Sequence, residues 1–281
     1  MSEDIIEGED VTSLVQIAGL VRFSYPTKNG ADGFKAKYED RDHQLRSLFA
    51  PERMEERLKL FEKVCLHALR NQTRKNFKVG VLIGSDMPNR YRARLEAMIA
   101  EVPEVEIISL PILPYKMAIR QAFEQLFDED KPFRMSFRLD DDDAVAIDYI
   151  EKINGFLPQL VPLTSGLDPV CLAFNAGLTL VGQKAQREIV SKNFNTPRSV
   201  GVAVVAPAGW SHNVFVAIHP KLQLRMRTVF DPTEIMMLRI FHDSNDSSEV
   251  LQGPSKRHTP AQLRSILQER FALDIDDVLT L

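Results

Sequence analysis

Residues 132–143 read PFRMSFRLDDDD and place a strand-like segment directly before four consecutive aspartates. A helical pattern over residues 146–157 follows within a few positions. Ligands of open α/β sheets bind at the carboxyl ends of the strands, so acids at such a point face a binding edge. The stretch therefore predicts a strand, an acidic turn and a helix, with the turn as a candidate site.

The first part of the chain alternates strands and helices around this stretch. The predicted strands are residues 14–24, 77–84, 105–110 and 132–139, and the predicted helices are residues 55–71, 90–100, 117–127 and 146–157. Residues 25–54 are rich in charge, Gly and Pro and are predicted to form a long loop. The alternation predicts an α/β fold with a mostly parallel central sheet and helices on both faces.

The second part of the chain is predicted to be richer in strands. Residues 170–182, 199–206 and 212–219 are strand-like, and residues 233–241 are predicted to form a short helix. Thr259 is predicted to cap a C-terminal helix, because a proline follows it and a glutamine lies three positions on.

The chain shows no repeat and no linker. We therefore predict one domain over residues 1–281, with halves at residues 14–157 and 158–281.

Composition narrows the class of protein. The formal net charge of −4 and the isoelectric point near 5.9 argue against nucleic-acid binding through bulk charge. The acidic N-terminus does not resemble a secretory signal, and we expect no transmembrane segment and a cytoplasmic location. Cys65 and Cys171 lie in apolar stretches far apart in sequence and are predicted to be reduced core thiols.

The acidic run has two interpretations. Runs of acids commonly form a solvated turn, but carboxylates crowded at a strand end repel one another, and a divalent cation relieves that repulsion. Asp140 and Asp142 point the same way if the strand continues through them. Their hard oxygens favour Mg²⁺ or Mn²⁺ over zinc.

Four segments resemble GT-A-type glycosyltransferases. The motif-bearing segments are residues 66–77 (LHALRNQTRKNF), similar to S-L-x-x-Q-T-x-x-N-F; residues 84–86 (GSD) after a strand; residues 139–143 (LDDDD), similar to L-D-x-D-D; and residues 148–153 (DYIEKI). Residues 21–24 (VRFS) and 138–140 (RLD) are similar to a bacterial family described as "putative rhamnosyltransferase". The resemblance covers roughly residues 14–250 and is strongest over residues 58–155.

The resemblance implies a GT-A fold and a hexosyltransferase that acts in bacterial polysaccharide assembly with a nucleotide-diphosphate sugar donor. It implies that residues 14–157 bind the nucleotide and residues 158–281 form the acceptor side. The acceptor would be a hydroxyl on a glycan, a lipid-linked compound or a small molecule. A lipid acceptor would add peripheral membrane contact.

The resemblance also implies roles for individual residues. Asp142, with Asp140 through water or ribose, would hold Mn²⁺ or Mg²⁺, and His242 is preferred over His212 and His219 as a further metal ligand. The expected donor-binding residues are Arg22, Phe23, Ser24, Asp86, Arg138, Asp140 and Asp141. Arg138 could equally pair with the aspartates as a structural contact, and Trp210 could stack on an acceptor sugar.

The general base is left open among Asp168, Asp231 and Asp243, and the inverting or retaining outcome is also open. Two rival functions remain. One is a non-catalytic domain that binds nucleotide or glycan. The other is a metal-dependent phosphodiesterase, which needs two ions held by several acids.

Overall fold

The computed structural model describes residues 10–28, 40–182, 187–241 and 255–281. These residues form two sheets and the helices that cover them. The strands are β1 Val15–Arg22, β2 Lys78–Gly84, β3 Val105–Leu110, β4 Phe133–Asp140, β5 Ala144–Val145, β6 Val170–Phe174, β7 Ala176–Val181, β8 Glu188–Asn193, β9 Val202–Pro207, β10 Arg227–Asp231, β11 Met237–Ile240 and β12 Lys256–Arg257. The α-helices are α1 Arg41–Leu48, α2 Pro51–Leu60, α3 His67–Arg70, α4 Asn89–Ile99, α5 Tyr115–Leu126, α6 Tyr149–Leu160, α7 Pro260–Phe271 and α8 Ile275–Leu279.

The larger sheet has seven strands in the order β10-β6-β9-β4-β1-β2-β3. Every neighbouring pair in it is parallel except the two pairs that β9 makes. Both predicted halves of the chain contribute strands to this sheet. The predicted α/β class with a mostly parallel central sheet is confirmed, and the carboxyl ends of six strands meet at one edge.

The smaller sheet has the order β12-β8-β7-β11-β5. Its strand β5 begins at Ala144, directly after the four aspartates, and pairs with β11. The acidic run is therefore the crossing point where the chain leaves the large sheet and enters the small one.

The two faces of β4 have different neighbours. Met135, Phe137 and Leu139 are buried in the larger hydrophobic core. The alternate residues, Ser136 and Arg138, face the second core beneath α5, because side chains two apart point the same way. This alternation brings Asp140 to the same face as Arg138.

The predicted loop over residues 25–54 was wrong in part, because α1 and the start of α2 lie within it. Asp40 caps α1 by accepting a hydrogen bond from the His43 backbone N–H at 2.7 Å. Pro51 occupies the first turn of α2, where its missing N–H costs nothing. The helix predicted over residues 55–71 begins at Pro51 and continues through a π-helical segment, Phe61–Leu66, into α3.

Two predictions in the second half were also wrong. Residues 212–219 are not a strand but an irregular segment that leads into the 3-10 turn His219–Leu224. Residues 233–241 form no helix, because β11 lies between β7 and β5 and hydrogen-bonds to both. A short apolar run can form either a helix or a strand. Here the edge of β7 offers backbone hydrogen bonds, and the segment forms a strand.

The predicted cap of the C-terminal helix is confirmed. Thr259 Oγ1 accepts a hydrogen bond from the Gln262 N–H at 3.3 Å, and the Gln262 side chain accepts one from the Thr259 N–H at 3.0 Å. Both cysteines are free and buried, as predicted. Burial raises the pKa of the Cys171 thiol to about 12, so this thiol stays protonated.

Among the described residues, every helix is too short or too polar to cross a bilayer.

Candidate functional site

The four aspartates do not form one extended row. Strand β4 ends at Asp140, and a turn over residues 141–142 follows. The condition for Asp140 and Asp142 to point the same way, a strand continuing through both, is therefore not met. Each carboxylate finds its own surroundings.

Arg57 of α2 binds the middle of the run. Its guanidinium forms a two-point contact with Asp141, with Nε 2.9 Å from Asp141 Oδ2, and Nη1 lies 3.2 Å from Asp142 Oδ2. Asp141 is fully buried, and Asp142 is 7% exposed. Asp141 was predicted to contact the donor, but its carboxylate is enclosed in this ion pair and presents no surface to a ligand.

Asp143 turns toward the smaller sheet. Its Oδ1 accepts a hydrogen bond from the Ile240 backbone N–H at 2.9 Å, and its Oδ2 lies 3.9 Å from Arg239 Nε. Burial and the neighbouring Asp142 charge raise the pKa of Asp143 well above its usual value. Asp143 thereby fixes the register of β11 against the acidic turn.

Asp140 is the carboxylate of the run with the most exposed side chain, at 30%. Its Oδ1 lies 3.6 Å from Arg138 Nη2 and 3.9 Å from Arg22 Nη2. Burial opposes its ionisation, but these two guanidiniums and a hydrogen bond with Ser199 hold the pKa of Asp140 well below its usual range. Asp140 is thus an ionised carboxylate next to two arginines.

The charges of His219 and Asp140 influence each other. Burial and the nearby charge of Arg138 lower the pKa of His219 to about 3, although Asp140 acts in the opposite direction. Arg239 and Arg198 contribute to the same lowering. The imidazole is therefore neutral at pH 7. Two arginines lie within 4 Å of the partly exposed Asp140 carboxylate, and two more act electrostatically on His219.

Two of these arginines lie over aromatic rings. The Arg138 guanidinium lies 4.6 Å from the centre of the Phe215 ring, and the Arg22 guanidinium lies 5.3 Å from the centre of the Tyr115 ring. No described residue accepts a hydrogen bond from the buried Nε of Arg138. An excess of oriented positive charge at the carboxyl edge of a parallel sheet suits an anionic ligand such as a phosphate.

Arg22, Phe23 and Ser24, at the end of β1, have different surroundings. Arg22 pairs in register with Asp140 at the strand end. Phe23 is fully buried against Phe61, with ring centres 5.5 Å apart, so its side chain belongs to the core and not to a ligand surface. Ser24 adopts a left-handed φ of 48° and accepts a hydrogen bond from Arg53 Nη1 at 2.8 Å.

Asp86 follows β2 at the same edge. Its side chain is 30% exposed, and its Oδ1 lies 2.7 Å from Arg41 Nη2. It remains accessible from this edge, where the predicted contact with a nucleotide base would be made.

The three candidate bases lie in different places. Asp231 ends β10 at the same edge as Asp140 and accepts a hydrogen bond from the Thr233 N–H at 2.9 Å. Asp168 precedes β6, at the opposite edge of the sheet, and the structure does not bring it to Asp140. Asp243 and the preferred metal ligand His242 lie outside the described residues.

His212, the remaining histidine proposed from the sequence, is exposed. Its ring contacts Trp210 edge-on, with ring centres 5.6 Å apart. Both rings line a cavity on the α5 side of the sheet, away from the carboxyl edge.

The carboxylates of the acidic turn are candidate ligands for a divalent cation. Asp140 and Asp142 offer hard oxygen donors of the kind that Mg²⁺ and Mn²⁺ bind. No group of three His, Cys, Asp or Glu side chains within the described ranges is arranged to hold a metal ion. Mg²⁺ commonly uses one or two carboxylates, with substrate phosphates and water completing its shell, so the number of carboxylates here is sufficient. Asp142 would have to exchange its contact with Arg57 for the ion.

Gln72, the glutamine of the motif-like segment at residues 66–77, has a structural role. Gln72 is 3% exposed; its Nε2 donates to the carbonyls of Ala68 at 2.9 Å and Ala146 at 2.8 Å, and its Oε1 accepts from the Ile150 N–H at 3.0 Å. The neighbouring Thr73 hydroxyl donates to Glu151. These contacts attach the end of α3 to the start of α6 and hold the exit of the acidic turn.

Replacing Gln72 with methionine is expected to lower the free energy of unfolding by about 2–4 kcal/mol, because two buried carbonyls and one buried N–H lose their partner. Urea denaturation measures the change. Gln268→Met, at an exposed position of α7, is the matched control and should leave the unfolding midpoint almost unchanged. Equal midpoints for the two variants would contradict the assignment of Gln72 as a buried hydrogen-bond hub.

Several residues at the site have no local sequence signal. Arg57, Ser199, Arg198 and Arg239 come from α2, from the approach to β9 and from β11, and only the tertiary fold brings them to the acidic turn. His219 was one of several histidine candidates, and its neighbours do not form a recognisable motif.

A mostly parallel α/β sheet with arginines at its carboxyl edge is typical of proteins that bind nucleotides or phosphates there. The sequence profile of the family described as "Putative rhamnosyl transferase" matches residues 16–254, so this chain belongs to that glycosyltransferase family. No curated protein matches the chain.

Solved structures show distant likeness. Residues 1–349 of S. aureus TarS, solved in complex with UDP-GlcNAc, are 10% identical with a TM-score of 0.42; the match covers 90% of this chain and 64% of that one. A "putative nucleotide-diphospho-sugar transferase" from Desulfovibrio desulfuricans G20 is 10% identical with a TM-score of 0.35, and 82% of each chain is covered. This chain thus spans less than two thirds of the TarS chain.

Proposed function

We propose that this chain is a metal-dependent glycosyltransferase that moves a hexosyl group, with rhamnosyl as the candidate sugar, from a nucleotide-diphosphate donor to a hydroxyl of a glycan, a lipid-linked compound or a small molecule. Membership of the family supports transfer of a sugar. The observation that carries the proposal is Asp140, ionised and partly exposed among Arg22, Arg138 and His219 at the carboxyl edge.

Different residues at the carboxyl edge would hold different parts of the donor. Asp140 and Asp142 would hold Mg²⁺ or Mn²⁺, which when bound neutralises negative charge on the leaving diphosphate. Arg22 and Arg138 place further positive charge within 4 Å of Asp140 and would orient the diphosphate oxygens. Asp86 would accept a hydrogen bond from the nucleotide base.

Asp231 is the candidate base that the described residues support best, because it alone among those placed shares an edge with Asp140. In an inverting reaction, its carboxylate would take the proton of the acceptor hydroxyl while that oxygen bonds to the sugar and the bond to the diphosphate breaks. The neutral His219 would hydrogen-bond within the site without adding charge.

The acidic turn favours a transferase over a phosphodiesterase. A two-ion hydrolytic site needs several acids free to bind metal. Here Asp141 is fully enclosed by Arg57, and Asp143 holds the Ile240 N–H. The surrounding arginines instead suit a diphosphate.

Thermal stabilisation by nucleotide sugars tests the proposal. UDP-, GDP-, dTDP- and CMP-sugars are each added with and without Mn²⁺, and the melting temperature is recorded. We expect one nucleotide to raise the melting temperature, with a larger shift when Mn²⁺ is present, since a ligand that binds only the native state stabilises it. Sugar transfer is then assayed with that donor. If no nucleotide sugar raised the melting temperature, the result would favour a non-catalytic glycan-binding domain or a phosphodiesterase.

A further inference from the structure

The cavity lined by Trp210 and His212 lies beneath α5, away from the acidic turn. Its volume is about 190 Å³, and it lies between α5, the start of β4, the end of β9 and the turn after β9. Drug-sized ligand sites begin at about 300 Å³, so this cavity suits a single sugar ring better than a nucleotide. It plays no part in the donor site described above.

About half of β4 separates the cavity from the donor edge. Ser136 lines it, four residues before Asp140, which corresponds to about 13 Å along a strand. Arg134, nearer the start of the same strand, also lines it. A monosaccharide in the cavity would therefore not contact Asp140.

Positive charge enters the cavity from two elements. The Arg134 guanidinium lies 5.3 Å from the centre of the Phe127 ring, and no described residue accepts a hydrogen bond from its buried Nε. Arg120 of α5 adds a second guanidinium, whose Nε is 3.3 Å from Glu124 Oε1. That exposed pair is weak and can be exchanged for a ligand.

An aromatic wall completes the cavity. Trp210 is half-buried in the turn after β9 and packs edge-on against His212. Indole faces suit the C–H faces of sugar rings because they are broad and apolar. The cavity thus combines an aromatic wall with two guanidiniums whose fork geometry matches carboxylate or phosphate.

We propose that this cavity binds an anionic sugar residue, with Trp210 against the ring and Arg134 and Arg120 on its carboxylate or phosphate group. The residue would belong to a glycan, and the site would retain that glycan separately from the sugar donor. The inference depends on the cavity and not on the proposed transfer reaction.

The single tryptophan of the chain makes the test direct. Trp210 is the sole tryptophan in the sequence, so intrinsic fluorescence excited at the indole reports this cavity. The protein is titrated with glucuronate, with glucose 6-phosphate and with neutral glucose. We expect a saturable change with one or both anionic sugars, and a response to glucose at least about tenfold weaker, because glucose cannot form the charge-assisted hydrogen bonds.

Two variants identify the residues. Arg134→Gln and Arg120→Gln are each expected to weaken anionic-sugar binding by about tenfold. Arg92→Gln is the matched control, because Arg92 forms the same kind of i,i+4 pair with Glu96 on α4, outside the cavity. Arg120 is 61% exposed, so its variant should fold as the parent does.

The relative response to the two anionic sugars tells whether the natural group is a carboxylate or a phosphate. A saturable response that survives both variants would overturn the proposal. So would equal responses to glucose and the anionic sugars, or no response to any of the three sugars. Donor binding, measured by the nucleotide panel, should be the same in Arg134→Gln as in the parent.

Discussion

Replacing Arg57 with methionine is expected to lower the free energy of unfolding by about 3–5 kcal/mol, because it leaves the Asp141 carboxylate charged and buried without a partner. Asp141 is fully buried, and the Arg57 side chain is only 12% exposed. The same guanidinium reaches Asp142, so one substitution removes the counter-charge of two neighbouring acids. Urea denaturation followed by circular dichroism measures the change.

The control for Arg57 is another arginine of similar length. Arg94 of α4 pairs with Glu55, with Nη1 2.6 Å from Oε1, but both side chains are exposed. Arg94→Gln should leave the stability nearly unchanged, since exposed ion pairs gain little in water. A loss equal to that of Arg57→Met would show that burial of Asp141 is not the cause.

The double variant Arg57→Met with Asp141→Leu separates the missing partner from lost packing. Replacing both members of a buried ion pair with apolar residues is often nearly neutral, whereas removing one is costly. The double variant should therefore regain much of the stability lost in Arg57→Met. A double variant as unstable as the single one would assign the loss to packing of the Arg57 side chain or to Asp142.

The parallel part of the fold could be predicted because local patterns there agree with the tertiary structure. Residues 105–110 were predicted as a strand with the bounds that β3 has. Its neighbour β2, predicted over residues 77–84, is buried from Val79 onward, so its apolar run is continuous and bounded by turns. Helices such as α5 have an apolar stripe, including Ala118, Ala122 and Phe123, that marks them in the sequence.

The second half was harder because long-range pairing determines it. Met237 pairs with Gly177 in β7 and with Val145 in β5, and neither partner is visible in the residues around it. Added side-chain atoms at Gly177 would collide with Met237, so the approach of these strands depends on a glycine 60 positions away. A short apolar run such as residues 233–241 does not contain that information.

The site, like the fold, could be predicted from the sequence only where local patterns determine it. The position of the four aspartates at a strand end follows from the sequence, but the separate surroundings of their carboxylates do not. Arg57 lies 84 residues before Asp141, and its pairing decides that Asp141 is structural. Gln72 and Thr73, which gave the resemblance much of its weight, hold the acidic turn in place through hydrogen bonds and do not line its exposed side.

Replacing Asp140 with asparagine is expected to reduce sugar transfer by about 10²–10³-fold, the range seen when one group that stabilises developing charge is lost. Asparagine keeps the size of the side chain and an oxygen for the hydrogen bond with Ser199, but removes the charge. Arg138 and Arg22 would then lie near a neutral group, and their orientation toward a diphosphate would no longer be fixed.

The matched control for Asp140 is an exposed aspartate that precedes the same strand. Asp130→Asn, in the exposed segment before β4, should keep full activity. The melting temperature and the stabilisation by donor are measured alongside the rate, because a loss of fold would lower all three. We expect Asp140→Asn to melt near the parent yet to lose the stabilisation that donor gives in the presence of Mn²⁺. An Asp140→Asn protein that transfers sugar within tenfold of the parent would remove Asp140 from the reaction and shift the metal assignment toward Asp142.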